Sequence, residues 1–346
     1  MEDNKRVKSQ ESRVGSQNVY CAILVGGPGK RLWPLSTKEK PKPFLPLITD
    51  KPLIKETLER VIDVFPKERI RFVLSKEHKG LAKSIFPWTS NENYIVEPEP
   101  RDTAAAIGLV SFFLPEDATL IVLSSDHYIS DKKSFQKGIL YGIEFLKESP
   151  DFILTFGIKP ERPETGYGYI ERDILLKENI YKVARFVEKP DLETAKIYIE
   201  NGNYFWNSGI FIFKNKRIQG LFKEFLPEHF KVLREKDMEG FRCLPKVSID
   251  YGIMEHITTI GMIKADFKWD DIGGYSSLLR VHKKDKNNNL VFGDYRGIDT
   301  KDCIIYSKDA IIRTIGVLNL VIAHSNGNVL IASRDRLDEI KRLLDE

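Results

Sequence analysis

The sequence predicts an α/β fold: a mixed, mostly parallel sheet with helices on its faces, followed by a small β-rich appendage. Three observations predict it. From Val19 to Leu146, short apolar runs alternate with stretches of helical periodicity. After Phe152, strand-like runs follow one another with Gly and Pro between them. From Leu290 to Ile331, still shorter apolar runs recur, interrupted by Gly, Asn and Asp.

The apolar run 19–25 passes at once into Gly26-Gly27, the pattern of a buried parallel strand entering a tight loop. Leu53, Ile54, Leu58, Val61, Ile62 and Phe65 recur at near-helical spacing, so 53–65 is expected as a helix on the sheet. Strands are expected at 71–74, 93–96 and 119–123, and helices at 103–113 and 134–146. The second half is expected to contribute strands at 152–158, 169–170, 183–188 and 209–213, with helices at 195–200 and 217–226. Asp285 to Asn289 is polar and reads as a linker. Leu337, Ile340 and Leu344 form one stripe of a closing helix at 334–346. The expected division is an N-terminal arm at 1–18, a large α/β domain at 19–284 and a β-rich domain at 285–346.

A net charge of +4 set against 54 basic and 50 acidic residues makes no case for a nucleic-acid surface, though it admits a local basic pocket for a small anion. Cys21, Cys243 and Cys303 are far apart, which excludes a CxxC zinc or redox motif and suggests a reducing compartment. No apolar run is long enough to span a membrane, and the first 18 residues lack the apolar segment of a signal peptide. A flexible arm and a cytoplasmic protein without a membrane partner are expected. The six histidines are scattered and read as structural or exposed.

Gly26-Gly27-Pro28-Gly29-Lys30-Arg31 follows the first strand directly. Glycines there let backbone N–H groups approach a phosphate. Leu32 stands where a dinucleotide fingerprint needs a small residue; Leu24 and Arg31 stand where a Walker A loop needs Gly and Ser or Thr. A tight strand-to-helix turn is the simpler alternative for such a loop taken alone. It is not alone: Arg31 and Lys42 flank a proline-stiffened stretch that can hold cations in place.

Leu24-Val-Gly-Gly-Pro-Gly-Lys-Arg-Leu-Trp-Pro-Leu-Ser36, followed by Lys40-Pro-Lys-Pro-Phe-Leu-Pro-Leu47, resembles the signature of the sugar-nucleotide pyrophosphorylases. Within them it looks most like the mannose-1-phosphate guanylyltransferases. Lys30 departs from the Thr or Ser usual in that family. The resemblance runs from about Val19 to the C-terminus, with further motifs in the family's order. It implies a Rossmann-like, glycosyltransferase-A-like nucleotidyltransferase domain and a left-handed β-helix-like appendage. It also implies transfer of GMP from GTP to mannose 1-phosphate, giving GDP-mannose and pyrophosphate with Mg2+ as cofactor. The appendage resembles a region that is often an oligomer contact, which makes a homodimer plausible.

Asp126 follows a buried strand, at the sheet edge where open α/β sheets bind ligands, and Mg2+ is commonly held by one or two carboxylates plus substrate phosphates. In the family the carboxylates matching Asp126 and Asp271 are the metal ligands. Asp270 could compete, and the family pattern selects Asp271. Val96-Glu97-Pro-Glu-Pro-Arg-Asp-Thr103 resembles the base-reading loop. Guanine presents N1–H and N2–H2 on one edge, and the carboxylate of Glu97 can accept both. Thr103 reads either as a nucleotide contact or as the cap of the helix after it. Nucleotide contacts are further implied for Leu24, Gly26, Gly27, Gly29, Lys30 and Arg31. Sugar contacts are implied for Gly166 in Thr165-Gly166-Tyr167-Gly168-Tyr169, for Glu188 in Phe186-Val-Glu188-Lys189-Pro190, and for Asn207. Lys189 is expected on the sugar phosphate, because a strand ending at Pro190 frees both Glu188 and Lys189 to reach a pocket. Ser248-Ile-Asp-Tyr-Gly-Ile-Met-Glu255 is read as structural. Two alternatives stay open: a guanylyltransferase for another sugar 1-phosphate, such as a manno-heptose, and a catalytically silent subunit that senses GDP-mannose.

Overall fold

The computed structural model describes residues 18–27 and 29–345. The expected arm at 1–18 lies, but for Asn18, outside the described residues. The chain forms two compact units. The first comprises the segment ending at Gly26 together with Thr57–Ser125 and Ile129–Trp269; the second comprises Gly27–Glu56, Asp126–Tyr128 and Asp270–Glu346.

In the first unit nine strands make one sheet among the described residues. They are β1 (Val19–Val25), β2 (Ile70–Ser75), β3 (Tyr94–Glu97), β4 (Thr119–Ser124), β5 (Ile153–Ile158), β6 (Tyr169–Lys177), β7 (Ile180–Val187), β8 (Tyr204–Lys214) and β9 (Ile260–Lys264). Their order is β3-β2-β1-β4-β8-β5-β9-β7-β6, with β6 also paired to β8. The expected mixed sheet is present, and β3, β2, β1 and β4 are its parallel edge. These strands read as nearly unbroken apolar runs because both faces are covered. From β4 onward the pairing turns antiparallel at β8.

The two longest helices among the described residues, α1 (Asp102–Phe113) and α2 (Lys132–Glu148), cover the stretches expected to be helical. In α1, Ala104 to Ser111 are all buried, so its alanine richness reflects close packing rather than a surface stripe. A Cβ on Gly108 would stand 2.4 Å from Leu233, which fixes that approach. Asp131 starts α2 by accepting hydrogen bonds from the N–H groups of Lys133 and Ser134. The core lies between the sheet and α1, joined by Ile218, Leu221, Phe222 and Leu233.

The second unit has its own core, built from Leu32, Leu35, Leu45, Ile272, Tyr275 and the C-terminal strands. Strands β10 (Leu290–Phe292), β12 (Ile304–Tyr306) and β14 (Leu320–Ser325) stack in parallel, as do β11 (Tyr295–Ile298) and β13 (Ile312–Ile315). This repetition is the expected β-helix-like appendage. β15 (Asn328–Ser333) closes it as a hairpin with β14, turning at Asn326 and Gly327, both at positive φ. Asp285 to Asn289, read as a linker, is a hydrogen-bonded turn: Asn289 is buried and accepts from the Cys303 N–H. The closing helix is α-helical only over Ile340–Asp345. Arg334–Glu339 is a 3-10 segment, because Arg336 leaves helical geometry. No helix among the described residues is long and apolar enough to cross a membrane.

Candidate active-site residues

The expected site residues fall into two groups, one in each unit. In the second unit, Gly29 sits in the left-handed region at φ 66° and opens the 3-10 turn Lys30–Leu32. A Cβ there would stand 2.6 Å from the Lys42 Cβ and 2.9 Å from the Ser36 Oγ, so both backbone shape and space require glycine. Gly27 also has positive φ, whereas Gly26 and Gly27 face open space. Lys30 and Arg31 are exposed; Leu24, on β1, and Gly26 belong to the first unit, where Leu24 is half-buried.

Lys42 is carried on a second short turn, Lys42–Phe44, between Pro41 and Pro43. It is 8% exposed, an unusual burial for a lysine, and its partners explain it. Its Nζ lies 2.8 Å from the Asp126 Oδ2 and donates to the Asp271 carbonyl at 2.6 Å. One ammonium therefore brings together two aspartates that are far apart in sequence. The local chain around Asp271 is strained. Ile272, β-branched and fully buried, sits at φ 50°, a conformation costing about 1–3 kcal/mol. Two carboxylates hold it there: Asp270 accepts from the Ile272 N–H at 2.9 Å, and Asp271 accepts from the Gly273 N–H at 3.0 Å.

Asp270 is separated from Asp271 by its other partner. Arg280 forks onto it at 2.6 and 3.1 Å, and Asp270 is buried. That bidentate pair gives Asp270 a structural task; Asp126 meets Lys42 through its carboxylate and Asp271 through its backbone carbonyl. Two hard oxygen donors suit Mg2+, which takes its remaining ligands from water and substrate phosphates.

In the first unit, Glu97 ends β3 and is 8% exposed; burial pushes its carboxyl up to about 7. Thr103 is not a helix cap. Asp102 precedes it inside α1, and the Thr103 Oγ1 accepts from the Ile249 N–H at 2.9 Å, leaving its proton to donate.

Of the sugar-contact candidates, Glu188, Lys189 and Asn207 are linked through Asp250, and Gly166 is not. β7 ends at Val187, and Lys189 takes φ 48°, which breaks the strand's alternation. Its ammonium consequently contacts the neighbouring Glu188 carboxylate. Burial alone would lower the Lys189 pKa; the Glu188 hydrogen bond and the charges of Glu188, Asp250 and Asp102 outweigh it and raise it. Asn207 is placed by an irregularity between Thr155 and Gly157, where β5 shifts register against β8. Its Oδ1 accepts from the Thr155 hydroxyl at 2.7 Å, and its Nδ2 donates to Asp250 at 2.9 Å.

Three residues here were not singled out by the sequence. Asp250, in a stretch read as structural, has its carboxyl pushed up to about 7 by desolvation and by the charge of Glu188. Glu255 of the same stretch accepts from the Glu188 N–H at 2.9 Å. Gly168, not Gly166, is the glycine against Glu188: a Cβ on it would lie 2.6 Å from the Glu188 Oε2. Gly166 is exposed in a turn whose N–H is accepted by Glu164. The two-glycine spacing was the available signal, but it did not say which glycine packs.

Residues 21–288 match the nucleotidyl transferase family, and 293–346 match the mannose-P isomerase/GMP-like β-helix domain. A mannose-1-phosphate guanylyltransferase from Salmonella muenchen is 35% identical, over 93% of this chain and 72% of its own length. One from Escherichia coli is 34% identical, over 95% and 75%. A crystal structure from Thermus thermophilus, described as a mannose-1-phosphate geranyltransferase, superposes with a TM-score of 0.87 at 34% identity, covering 95% of this chain and 99% of its own.

Proposed function

The chain belongs to the nucleotidyl transferase family, among its mannose-1-phosphate guanylyltransferases, and on that premise we propose that it transfers GMP from GTP to mannose 1-phosphate, releasing pyrophosphate and GDP-mannose. The observation that carries this reading is the junction at Lys42, where one buried ammonium meets Asp126 and Asp271.

In this reaction a phosphate oxygen of the sugar phosphate attacks the α-phosphorus of GTP in line. The new O–P bond forms as the bond to the β-phosphate oxygen breaks, and pyrophosphate leaves. The attacking oxygen is already anionic near neutral pH, so no strong general base is needed. The obstacle is repulsion between two anions, which positioning and positive charge overcome. Arg31 and Lys42 serve the triphosphate, with the backbone of Gly26, Gly27 and Gly29, the edge of Leu24, and Lys30 beside them. Lys189 serves the sugar phosphate. Nucleotidyl transferases generally use a divalent metal; Asp126 and Asp271 would hold Mg2+ here. When bound, it supplies further positive charge to the phosphates.

Glu97 reads guanine, accepting N1–H and N2–H2, and the Thr103 hydroxyl donates to the nucleotide. Glu188 and Asn207 take the sugar hydroxyls, with Gly166 in the same loop. The reading also assigns 19–284 to transfer and 285–346 to the β-rich domain, in a cytoplasmic enzyme with a homodimer as its assembly and neither nucleic acid nor membrane as partner.

The test is pyrophosphate release from the purified chain with Mg2+, mannose 1-phosphate and each nucleoside triphosphate in turn. Release with GTP alone is expected. Release with another nucleotide overturns the assignment of Glu97, and release only with a heptose 1-phosphate overturns the sugar. No release with any pair, from a chain that still binds GDP-mannose, turns the reading to a silent sensing subunit.

A further inference from the structure

A pocket of about 140 Å3 lies within the second unit. One wall includes Lys40 and Pro46, on either side of the turn that carries Lys42. The other comes from the C-terminal strands and includes Lys308, Asp309, His324 and Asn326. None of the residues assigned above to GTP or mannose 1-phosphate lines it.

Its charges are unbalanced in one direction. Among the described residues, neither Lys40 nor Lys308 stands within ion-pair distance of a carboxylate. The carboxylate in the wall, Asp309, is taken up by His324, whose Nδ1 lies 3.0 Å from its Oδ1 and 3.4 Å from the Ser307 Oγ. Burial, and after it the charge of Lys40, lowers the Lys308 pKa. Two lysines that line one small concavity offer an anion two charge-assisted hydrogen bonds. The volume is well below the roughly 300 Å3 at which pockets for drug-sized ligands begin, and suits one tetrahedral oxyanion rather than a nucleotide.

The Lys40 end is not slack. The Thr37 N–H donates to the Lys40 carbonyl and the Lys40 N–H to the Thr37 Oγ1, both at 3.2 Å, closing a turn. Pro41 follows, then Lys42, then Pro43. Prolines fix φ, so a displacement at Lys40 is passed to Lys42 rather than absorbed between them.

We propose that this pocket is a second anion site, which takes a phosphate dianion, free or as the terminal phosphate of a metabolite, between Lys40 and Lys308. Its occupancy ties the C-terminal strands to the segment bearing Lys42 and so changes the rate of transfer. Only the effect on rate rests on the function proposed above.

Inorganic phosphate is titrated into the full chain by calorimetry at constant ionic strength. Saturable binding is expected. Lys308→Ala weakens it about tenfold or more, the loss of one charge-assisted hydrogen bond, and Lys308→Arg keeps it within about threefold of wild type. Equal affinity in wild type and Lys308→Ala, or no saturable binding, overturns the site. Lys308 is exposed, so its variants are expected to fold. GMP transfer is then measured against phosphate. The wild-type rate changes with a midpoint at the calorimetric Kd, while Lys308→Ala keeps the phosphate-free rate and loses the response. The same response in both proteins overturns the coupling. A chain that binds phosphate through Lys308 yet transfers no GMP keeps the site and overturns the function instead. Glycerol 3-phosphate separates the sources: tighter binding than phosphate assigns the pocket to a phosphorylated metabolite, and weaker binding to the free anion.

Discussion

Lys42 and Asp126 form an ion pair at 2.8 Å in which the lysine is the more buried partner, and the same ammonium donates to the Asp271 carbonyl at 2.6 Å. A lysine in that position orders two aspartates at once and offers a fixed positive charge to a phosphate. Lys42→Ala is expected to cut pyrophosphate release about a hundredfold or more, the range seen when a preorganised electrostatic contact is removed. The fold is expected to survive the loss of this ion pair and hydrogen bond, since the Asp126 carboxylate left behind is partly exposed to water. Pyrophosphate release read beside the thermal midpoint checks this; near wild-type turnover would remove Lys42 from the reaction.

Adjacent aspartates should separate cleanly. Asp270 is forked by Arg280 and accepts from the Ile272 N–H, so Asp270→Ala takes the bidentate partner from a half-buried guanidinium and the acceptor from a buried N–H. It is expected to destabilise the chain by about 3 kcal/mol, as broken buried pairs do. Asp271→Ala is expected to cost much less stability but to raise the Mg2+ concentration for half-maximal rate about tenfold or more, one carboxylate of the two being gone. Urea unfolding and a Mg2+ titration on both variants decide it; the reverse pattern would exchange their tasks.

The two glycines of the 165–169 stretch make a second paired test. An added methyl at Gly168 meets the far end of Glu188 at 2.6 Å, which must swing aside. Gly168→Ala is expected to raise the KM for mannose 1-phosphate about tenfold, the worth of roughly one hydrogen bond, with little change in stability. At Gly166 the nearest atom is 3.3 Å away and the position is exposed, so Gly166→Ala should leave KM nearly unchanged. Steady-state kinetics on the pair checks this, and a larger effect at Gly166 would restore it as the sugar contact.

The sequence made β1, α1 and α2 legible because apolar runs, alanine content and helical spacing are local properties, and it read Asp126 at a strand end for the same reason, whereas Lys42 was read in a proline-stiffened stretch and Glu97 through the family resemblance. What it left unread was set by distant chain. Asp250 gains its place only because Asn207 and Glu188 fold against it. Asp270 and Asp271 look alike in sequence and part company through Arg280. Gly168 matters because Glu188, just past the end of β7, packs against it. The pocket at Lys40 had no linear signal, since its second lysine lies far along the chain in the turn between β12 and β13.

Glu97 carries a prediction in which stability and binding run in opposite directions. Its carboxyl keeps a proton up to about pH 7 in the folded chain, against 4.5 for the ordinary group, because burial penalises the charge. Between those values the folded chain binds more protons than the unfolded one. The stabilising effect is therefore complete below about pH 4.5 and is lost as pH rises through about 7. Asp250, also raised to about 7, adds in the same sense. Glu97→Gln removes the ionisation, so the stability of the variant minus that of wild type should rise by about 2–3 kcal/mol from pH 5 to pH 8. Urea unfolding at both pH values measures it, and a difference independent of pH would mean that Glu97 is not desolvated. Guanine asks for the opposite state, since N1–H and N2–H2 both need the carboxylate. GTP binding to the free chain should tighten as pH rises through about 7, and Glu97→Gln should abolish both that dependence and the preference for GTP over ATP. The charge that costs stability in the empty protein is thus the one that guanine binding makes favourable.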